Sequence, residues 1–372
     1  MKLLITNTDA LINPRTGEFY DGILDTLNNF NNDEDRGIVV ISMHRAKLSR
    51  IPKEFNPLLV KATARKGRDL INYIDTKLGI EAKDCIVLGT KIDDVILAAN
   101  NKLMLIRADY TKFLSPSNRI FTSNYGILGI RDANHLNLVL SKIKEIKNPW
   151  YFKLDVDEIT TIYSLTNANT FSRQNDAKRL ANAFKSLLKE GELRHFDAFV
   201  LYFMISAYVN FEEFKEIDYF GVYPSSSGKI DEDLEKFLTK FRESLGKKQY
   251  GQILIRTKAV AKRHLDRNSN HFQTIKDQVQ SIVVNPKLDL VGRCVCIIDD
   301  FTTYGTSCET VRFLLQKVGV RKIIFISMGK FGVNYFKVVR NPFDNSYYTT
   351  YVQGEFNGKA DSNFVYSLID LL

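Results

Sequence analysis

"CVCIIDDFTTYGTSCETVRFLLQKVGV", residues 294–320, decides how the rest of the chain is read. It opens on an apolar run, Val295 to Ile298, of the length a buried strand needs, and the run stops at two aspartates, Asp299 and Asp300. Thr302, Thr303, Tyr304, Gly305, Thr306 and Ser307 follow, and an amphipathic stretch with helical spacing comes next. Strand, loop and helix in that order make the unit of a parallel α/β sheet. Such sheets place their ligands at the carboxyl ends of the strands. Backbone N–H groups at the turn, the Thr and Ser hydroxyls and the positive end of the helix dipole make a cradle for an anion. Gly305 lets backbone approach that anion closely. The two carboxylates cannot bind the same anion. They suit a polyhydroxylated group beside it, such as the 2′- and 3′-hydroxyls of a ribose, so the stretch describes a site for a sugar 5-phosphate.

The composition narrows the class. At 372 residues the chain is long for one core, which makes two domains the default expectation. With 44% hydrophobic and 26% charged residues it is an ordinary globular chain and not a disordered one. The net charge of +9 favours an anionic partner, a phosphorylated small molecule or a nucleic acid. Cys85, Cys294, Cys296 and Cys308 form no CxxC pair, which speaks against a zinc site or a disulfide framework and fits a reducing cytosol. His264 and His271 match no metal-ligand spacing and are expected as polar surface residues; no protein-built metal cluster is expected. The N-terminal apolar run is broken at Asn7 and Asp9, too early for a signal peptide. The longest apolar stretch, "AFVLYFMISAYV" at 198–209, is too short to span a bilayer and is expected as a buried core element. A cytoplasmic protein without a membrane partner is the expectation.

Along the chain, residues 1–145 alternate strand-like and helix-like segments: "KLLIT", "GILDTLNNF", "GIVVIS", "KGRDLINYIDTKL", "CIVLG", "DDVILAANN", "LMLIRA". That rhythm implies a parallel sheet covered by helices. It lapses around "IKNPWYFKLD" at 146–155, and residues 156–195 read as mostly helical. A second α/β rhythm runs through "YFGVY", "QILIRT", "RCVCIID" and "KIIFISM". The expected organisation is an α/β chain of two Rossmann-like units with mainly parallel sheets: 1–148, a helical linker or hood over 149–195, and 196–372.

The pattern at 294–307 resembles the phosphoribosyl diphosphate (PRPP) motif of type I phosphoribosyltransferases, in which apolar residues, two acids and a Thr/Gly-rich loop follow one another. Tyr304 departs from it, because the family usually has a small residue there. The resemblance implies Asp299 and Asp300 on the ribose and the 302–307 loop on the 5-phosphate. It also implies a diphosphate loop on an earlier strand, and "YPSSSGK" supplies Ser225, Ser226, Ser227, Gly228 and Lys229 in that place. "IRTKAVAKRHLDRNSNHFQTIKDQVQSI" is similar to the basic segment of ComF-type members, with Lys262, Arg263 and Arg267–Asn268 before the acidic pair. A basic loop closing there would neutralise the leaving diphosphate and exclude water. The implied chemistry is loss of diphosphate from C1 of the ribose through an oxocarbenium-like state, with Mg²⁺ on diphosphate and ribose oxygens.

The start of the chain, "LLITNTDALINP", resembles the first motif of haloacid-dehalogenase-like (HAD) phosphatases, an apolar strand followed by DxD, with Asn7 and Asp9 as the pair. Ser42 after "IVVIS" stands as the second motif and Lys66 as the third. "VLGTKIDD" stands for the fourth, with Thr90 where an acid is usual and Asp93 and Asp94 retained. The spacing leaves no room for a large cap. An amide is not a nucleophile toward phosphorus as a carboxylate is, so the resemblance implies a domain inactive as a phosphatase, kept for a phosphorylated ligand or a protein partner.

The sequence thus supports a Mg²⁺-dependent phosphoribosyltransferase acting on a nucleobase or nucleotide, by transfer or by diphosphorolysis. Fusions of these two modules resemble parts of stress and defence gene clusters. The alternatives are a non-catalytic PRPP- or nucleotide-sensing regulator and, less favoured, a nucleic-acid-binding subunit; a homo-oligomer is compatible with all three.

Overall fold

The computed structural model describes residues 2–32, 35–61, 68–111, 115–145, 149–169, 175–192, 195–246, 251–260, 270–344 and 346–356. Six strands of the first 130 residues are β1 (Leu3–Asn7), β2 (Gly37–Ser42), β3 (Leu58–Lys61), β4 (Cys85–Gly89), β5 (Met104–Ala108) and β6 (Leu128–Ile130). They form one sheet in the order β3-β2-β1-β4-β5-β6, with every pair parallel. β1 and β4 are buried at every position because helices cover both faces, and that is why they read as unbroken apolar runs. The strand order reverses between β1 and β4, so the crevice at their carboxyl ends is the natural ligand position of this sheet. Asn7 and Thr90 stand there.

The second half supplies β7 (Phe152–Asp157), β8 (Thr160–Asn167), β9 (Tyr219–Val222), β10 (Leu254–Arg256), β11 (Ile282–Val284), β12 (Cys294–Thr302), β13 (Lys322–Lys330), β14 (Asn334–Arg340), β15 (Tyr347–Gln353) and β16 (Glu355–Phe356). A second six-stranded sheet runs β16-β7-β8-β13-β12-β9. Its β8, β13, β12 and β9 are mutually parallel, while β7 and β16 join antiparallel at one edge. Two antiparallel pairs, β10–β11 and β14–β15, lie outside it.

Two expectations change here. Residues 149–195 are not a helical linker: they begin with the β7–β8 hairpin, and a helix follows only over Asn175–Glu190. The strand evidence was the alternation of Phe152, Leu154 and Val156 against polar neighbours, and the turn is closed by the Ile159 N–H donating to Asp157 Oδ1 at 3.2 Å. The strand of the opening stretch also outlasts its apolar run. β9 pairs with β12 only as far as Ile298, but β13 continues opposite it to Thr302, so Asp299 and Asp300 lie within the ladder and not past its end.

One apolar cluster joins a face of each sheet. It takes Leu4, Val40, Ile86 and Ile106 from the first sheet and Leu165, Phe220, Cys296 and Ile326 from the second. Between them lies the helix Phe196–Val209, buried at every residue from Ala198 to Tyr208. A helix apolar on all sides must be covered on all sides, and the two sheets together with the helices Asn175–Glu190 and Glu232–Ser244 do that. Phe203 meets Phe241 at a centroid distance of 4.9 Å, and Tyr208 donates to the Lys102 carbonyl at 2.7 Å. Trp150 lies 4.8 Å from Tyr163, the rings tilted by 46°, and donates to Asn210 Oδ1 at 2.8 Å. Among the described residues no helix is long and apolar enough to cross a membrane.

A shared core makes unfolding cooperative. Phe241 is completely buried, and Phe241→Ala is expected to cost about 3–5 kcal/mol. Trp150 fluorescence and far-ultraviolet circular dichroism should trace one coincident denaturant transition for both proteins. Two separated transitions would show that the halves fold independently.

Candidate functional site

The carboxyl end of the second sheet holds the acidic pair and its loop. Asp299 is buried and Asp300 half-buried, and strand alternation sends them to opposite faces. Asp299 Oδ1 accepts the Asp300 N–H at 3.0 Å and Asp300 Oδ1 accepts the Phe301 N–H at 2.6 Å. The expected side-by-side grip on two hydroxyls is therefore not the geometry observed. Asp300 is the more accessible carboxylate.

The loop itself is pinned by its carbonyls. Thr302 O accepts the Phe331 N–H at 2.9 Å, Thr303 O accepts Lys330 Nζ at 2.6 Å, and Tyr304 O accepts the Phe336 N–H at 3.0 Å. All three donors belong to the segment 330–336. In a trans peptide the carbonyl and the next N–H point in opposite directions, so the N–H groups of Thr303, Tyr304 and Gly305 turn away from that segment. Among the described residues none of the three has an acceptor. They run directly into the N-terminus of the twelve-residue helix Thr306–Lys317, whose dipole adds to them. The arrangement is a concave set of donors suited to an anion.

Gly305 is required for a reason the sequence did not disclose. Its φ is 82°, in the left-handed region, and a Cβ there would lie 2.1 Å from Tyr335 Cε2. The close approach is made by a buried ring and not only by a ligand. Tyr335 donates to Glu309, which also receives Arg312 Nη2 at 2.6 Å, Arg312 Nε at 2.8 Å and the Val338 N–H at 2.8 Å. Arg312 in turn reaches Asp157 at 3.2 Å. Burial works against the Arg312 charge, but Glu309 holds its pKa above the ordinary value. This network seats β14 on the helix and the loop on β14. The Tyr304 ring leaves the cradle altogether and lies edge-on, 4.7 Å from His271 and 5.3 Å from Phe336. His271 stacks on Phe336 at 4.1 Å and is half-buried, so one face of the expected surface residue is covered by a ring.

The loop 224–229 follows β9, the neighbour of β12, and the Tyr223 N–H donates to the Ile298 carbonyl at 2.8 Å. The two loops thus leave adjacent strands at the same edge. Gly228, with φ 83°, closes a turn onto Ser225. Ser225 and Ser227 share a hydrogen bond at 3.1 Å, and Ser226 O accepts the Val260 N–H at 3.2 Å. Ser227 and Lys229 are exposed. Arg256, which the sequence reading passed over, fixes the loop by donating to the Ser225 carbonyl at 2.6 Å and the Pro224 carbonyl at 3.1 Å. Gln278 Oε1 accepts from both Arg256 and Tyr223. Lys262, Arg263, His264, Arg267 and Asn268 lie outside the described residues, as does Lys66.

At the switch point of the first sheet, the motif residues are tied to one another. Asn7 Nδ2 donates to Asp94 Oδ2 at 2.8 Å and to Thr90 Oγ1 at 3.1 Å, while its Oδ1 caps a short helix through the Asp9 and Ala10 N–H groups. Asp94 Oδ2 also accepts the backbone N–H groups of Thr90 and Lys91 at 2.8 and 3.0 Å. Asp9 is held between Lys47 Nζ at 2.7 Å and Lys91 Nζ at 2.8 Å. Burial acts to raise its pKa, but the two lysine hydrogen bonds bring it below the ordinary carboxylate range. Ser42 accepts Thr8 Oγ1 at 3.3 Å, one strand away. Asp93 is half-buried in the first turn of the helix Ile92–Asn101.

A divalent cation fits this donor set poorly. A hard cation needs several oxygens free to turn toward it. Here one carboxylate is matched by two ammonium groups, and the Asp94 oxygen is matched by three N–H donors. Among the described residues no group of three or more His, Cys, Asp or Glu is placed to hold a metal.

No protein-family model matches the chain, and no curated protein does. Among solved structures, a 3-deoxy-D-manno-octulosonate 8-phosphate phosphatase from Moraxella catarrhalis is similar over 38% of this chain and 86% of its own, at 16% identity and a TM-score of 0.30. That phosphatase was crystallised with magnesium, phosphate and KDO. A likeness of this size carries no argument about the present chain, whose sites rest on their own geometry.

The Gly305–Tyr335 contact can be measured. Gly305→Ala is expected to lose about 1–2 kcal/mol through its left-handed φ alone, and more through the ring. A double-mutant cycle with Tyr335→Ala in denaturant titrations should show clear coupling between the two positions. Strict additivity would show that the ring does not set the loop.

Proposed function

We propose that the protein binds PRPP or a nucleotide at the carboxyl end of its second sheet and acts as a phosphoribosyltransferase, by phosphoribosyl transfer or diphosphorolysis. The observation that carries the reading is the run of three outward N–H groups, Thr303 to Gly305, feeding a helix N-terminus beside Asp300. On this reading the cradle takes the 5-phosphate, Asp300 accepts from a ribose hydroxyl, and the Ser225–Lys229 loop on the neighbouring strand takes the diphosphate. Mg²⁺ would be held mainly by the ligand's own oxygens, as is usual for a cation that keeps several waters, and would offset charge on the leaving diphosphate. The chain's part is to orient the sugar and stabilise positive charge developing at C1, which a carboxylate close to the ribose favours. No side chain is assigned as a nucleophile.

Titration calorimetry with PRPP and Mg²⁺ tests this. Wild-type protein should bind, and Asp300→Asn should bind more weakly by about 1.5–3 kcal/mol, the worth of a charge-assisted hydrogen bond. No binding by the wild type, or equal binding by the variant, overturns the assignment. Binding without release of diphosphate in the presence of any nucleobase would favour the sensor among the alternatives.

We further propose that the first sheet does not hydrolyse phosphomonoesters. Asn7 donates to Asp94 at 2.8 Å, a contact an ionised aspartate cannot make; an aspartate there would set two carboxylates against each other. Asn7→Asp should therefore recover no Mg²⁺-dependent hydrolysis of p-nitrophenyl phosphate. It should destabilise the protein by about 1–3 kcal/mol at pH 7.5. The penalty should shrink toward pH 5, because paired carboxylates raise one pKa and then share a proton. Metal-dependent hydrolysis by the wild type that is lost in Asp9→Ala would refute the proposal.

A further inference from the structure

Lys330 ends β13 and is 1% exposed, although it carries an ammonium group. Its Nζ donates to the Thr303 carbonyl at 2.6 Å and to the Asn334 carbonyl at 2.8 Å, and it sits 4.8 Å from the centre of the Phe152 ring. Among the described residues it has no carboxylate within ion-pair distance, and its third hydrogen has no acceptor. Arg312, another buried cation of this half, shows how the fold treats such a charge elsewhere: Glu309 and Asp157 both meet it. Two carbonyls and the face of the Phe152 ring offset part of the cost of burying this cation, but none of them carries a full negative charge, and a counter-charge relieves the rest. For Lys330 that counter-charge is not within the described chain.

The position says where the charge would come from. Lys330 holds the carbonyl of Thr303, and the same peptide plane carries the Tyr304 N–H, the middle donor of the cradle. An anion seated on the three N–H groups lies at the opposite edge of that peptide from the ammonium. The charged and titratable groups near Lys330 are few. Cys308 faces it from the helix Thr306–Lys317, and Asp299 and Glu309 both act on that thiol. Glu309 is committed to Arg312 and Tyr335.

We propose that Lys330 is the positioning residue of the cradle: its ammonium fixes the Thr303–Tyr304 peptide, and its charge is completed by the phosphomonoester dianion that the cradle takes. This rests on the phosphate-binding reading above and adds the group that makes binding depend on charge. Desolvation lowers the Lys330 pKa to about 8 in the unliganded protein. A dianion nearby raises it again, so ligand binding above that pH should draw a proton from solvent.

The experiment is calorimetry of the full chain with ribose 5-phosphate at pH 8.5, in two buffers of unlike ionisation enthalpy, with a repeat at pH 6.5. Wild-type protein should take up on the order of half a proton or more at pH 8.5 and close to none from this group at pH 6.5. Lys330→Met, which keeps length and suits an apolar slot, should bind at least tenfold more weakly at pH 6.5 and show no uptake at pH 8.5. A purely structural lysine would not move the proton count, and that count is read on the wild type even if the variant folds badly. Binding by the wild type without uptake, or equal affinity in folded Lys330→Met, overturns the role of Lys330 and leaves the phosphate site standing. No binding of ribose 5-phosphate by the wild type overturns both.

Discussion

Three carbonyls pinned to one segment organise the candidate site. Thr302, Thr303 and Tyr304 each give their oxygen to a donor between Lys330 and Phe336, and peptide geometry then sends the following N–H groups the other way. The loop needs no special sequence to do this; it needs a partner that holds it. That partner is built in layers. The Tyr335 ring lies against Gly305, Glu309 binds Tyr335 and Arg312 together, and Asp157 closes the network from the β7–β8 turn. A glycine with φ of 82° is the one residue that satisfies the backbone and the ring at once. The helix dipole then adds to donors already oriented.

The same economy explains the continuous core. The helix Phe196–Val209 has no polar face to give to solvent, so apolar surface from both halves, sheets and helices alike, must enclose it. Lys240 shows how closely the halves are joined: it donates to the Asn124 and Gly126 carbonyls of the first half from a helix of the second. Burial, and the nearby Arg107, lower its pKa to about 8. Backbone carbonyls of the first half therefore hold a charged group of the second at the seam.

Much of this could be read in the chain before the fold was seen, and the parts that could not share one physical feature. Apolar runs and loop chemistry gave the parallel strands, the order strand–acidic pair–loop–helix, and the burial of residues 198–209, because each is set by neighbours in sequence. The β7–β8 hairpin was missed because the long helix after it dominated the window, although Phe152, Leu154 and Val156 alternate as a strand should. Lys330 and Tyr335 were missed for another reason. A lysine closing "KIIFISMGK" reads as a strand end reaching solvent, and nothing local says that β14 and Phe152 will cover it. Gly305 was recognised as necessary, but the ring that makes it so lies thirty residues on. Local pattern shows which backbone must bend; only packing shows what it bends around.

Comparison of the two carboxyl-end sites then separates their roles on physical grounds. In the first sheet the two carboxylates at the switch point are answered from within: Asp9 by Lys47 and Lys91, and Asp94 by Asn7 and two backbone N–H groups. A ligand entering there must displace pairs already made, and the gain from its own contacts is reduced by that loss. In the second sheet the balance runs the other way. Three N–H groups have no acceptor among the described residues, and a lysine is buried against two carbonyls and an aromatic ring with no carboxylate at ion-pair distance among those residues. An anion arriving there breaks nothing and supplies the charge that Lys330 lacks. On the proposed reading, the amide at position 7 and the burial of Lys330 are two halves of one division of labour. The first site is self-sufficient, and it can serve stability or a partner. The second has been left electrostatically incomplete, which is the condition under which a small, highly charged ligand is bound tightly by few residues.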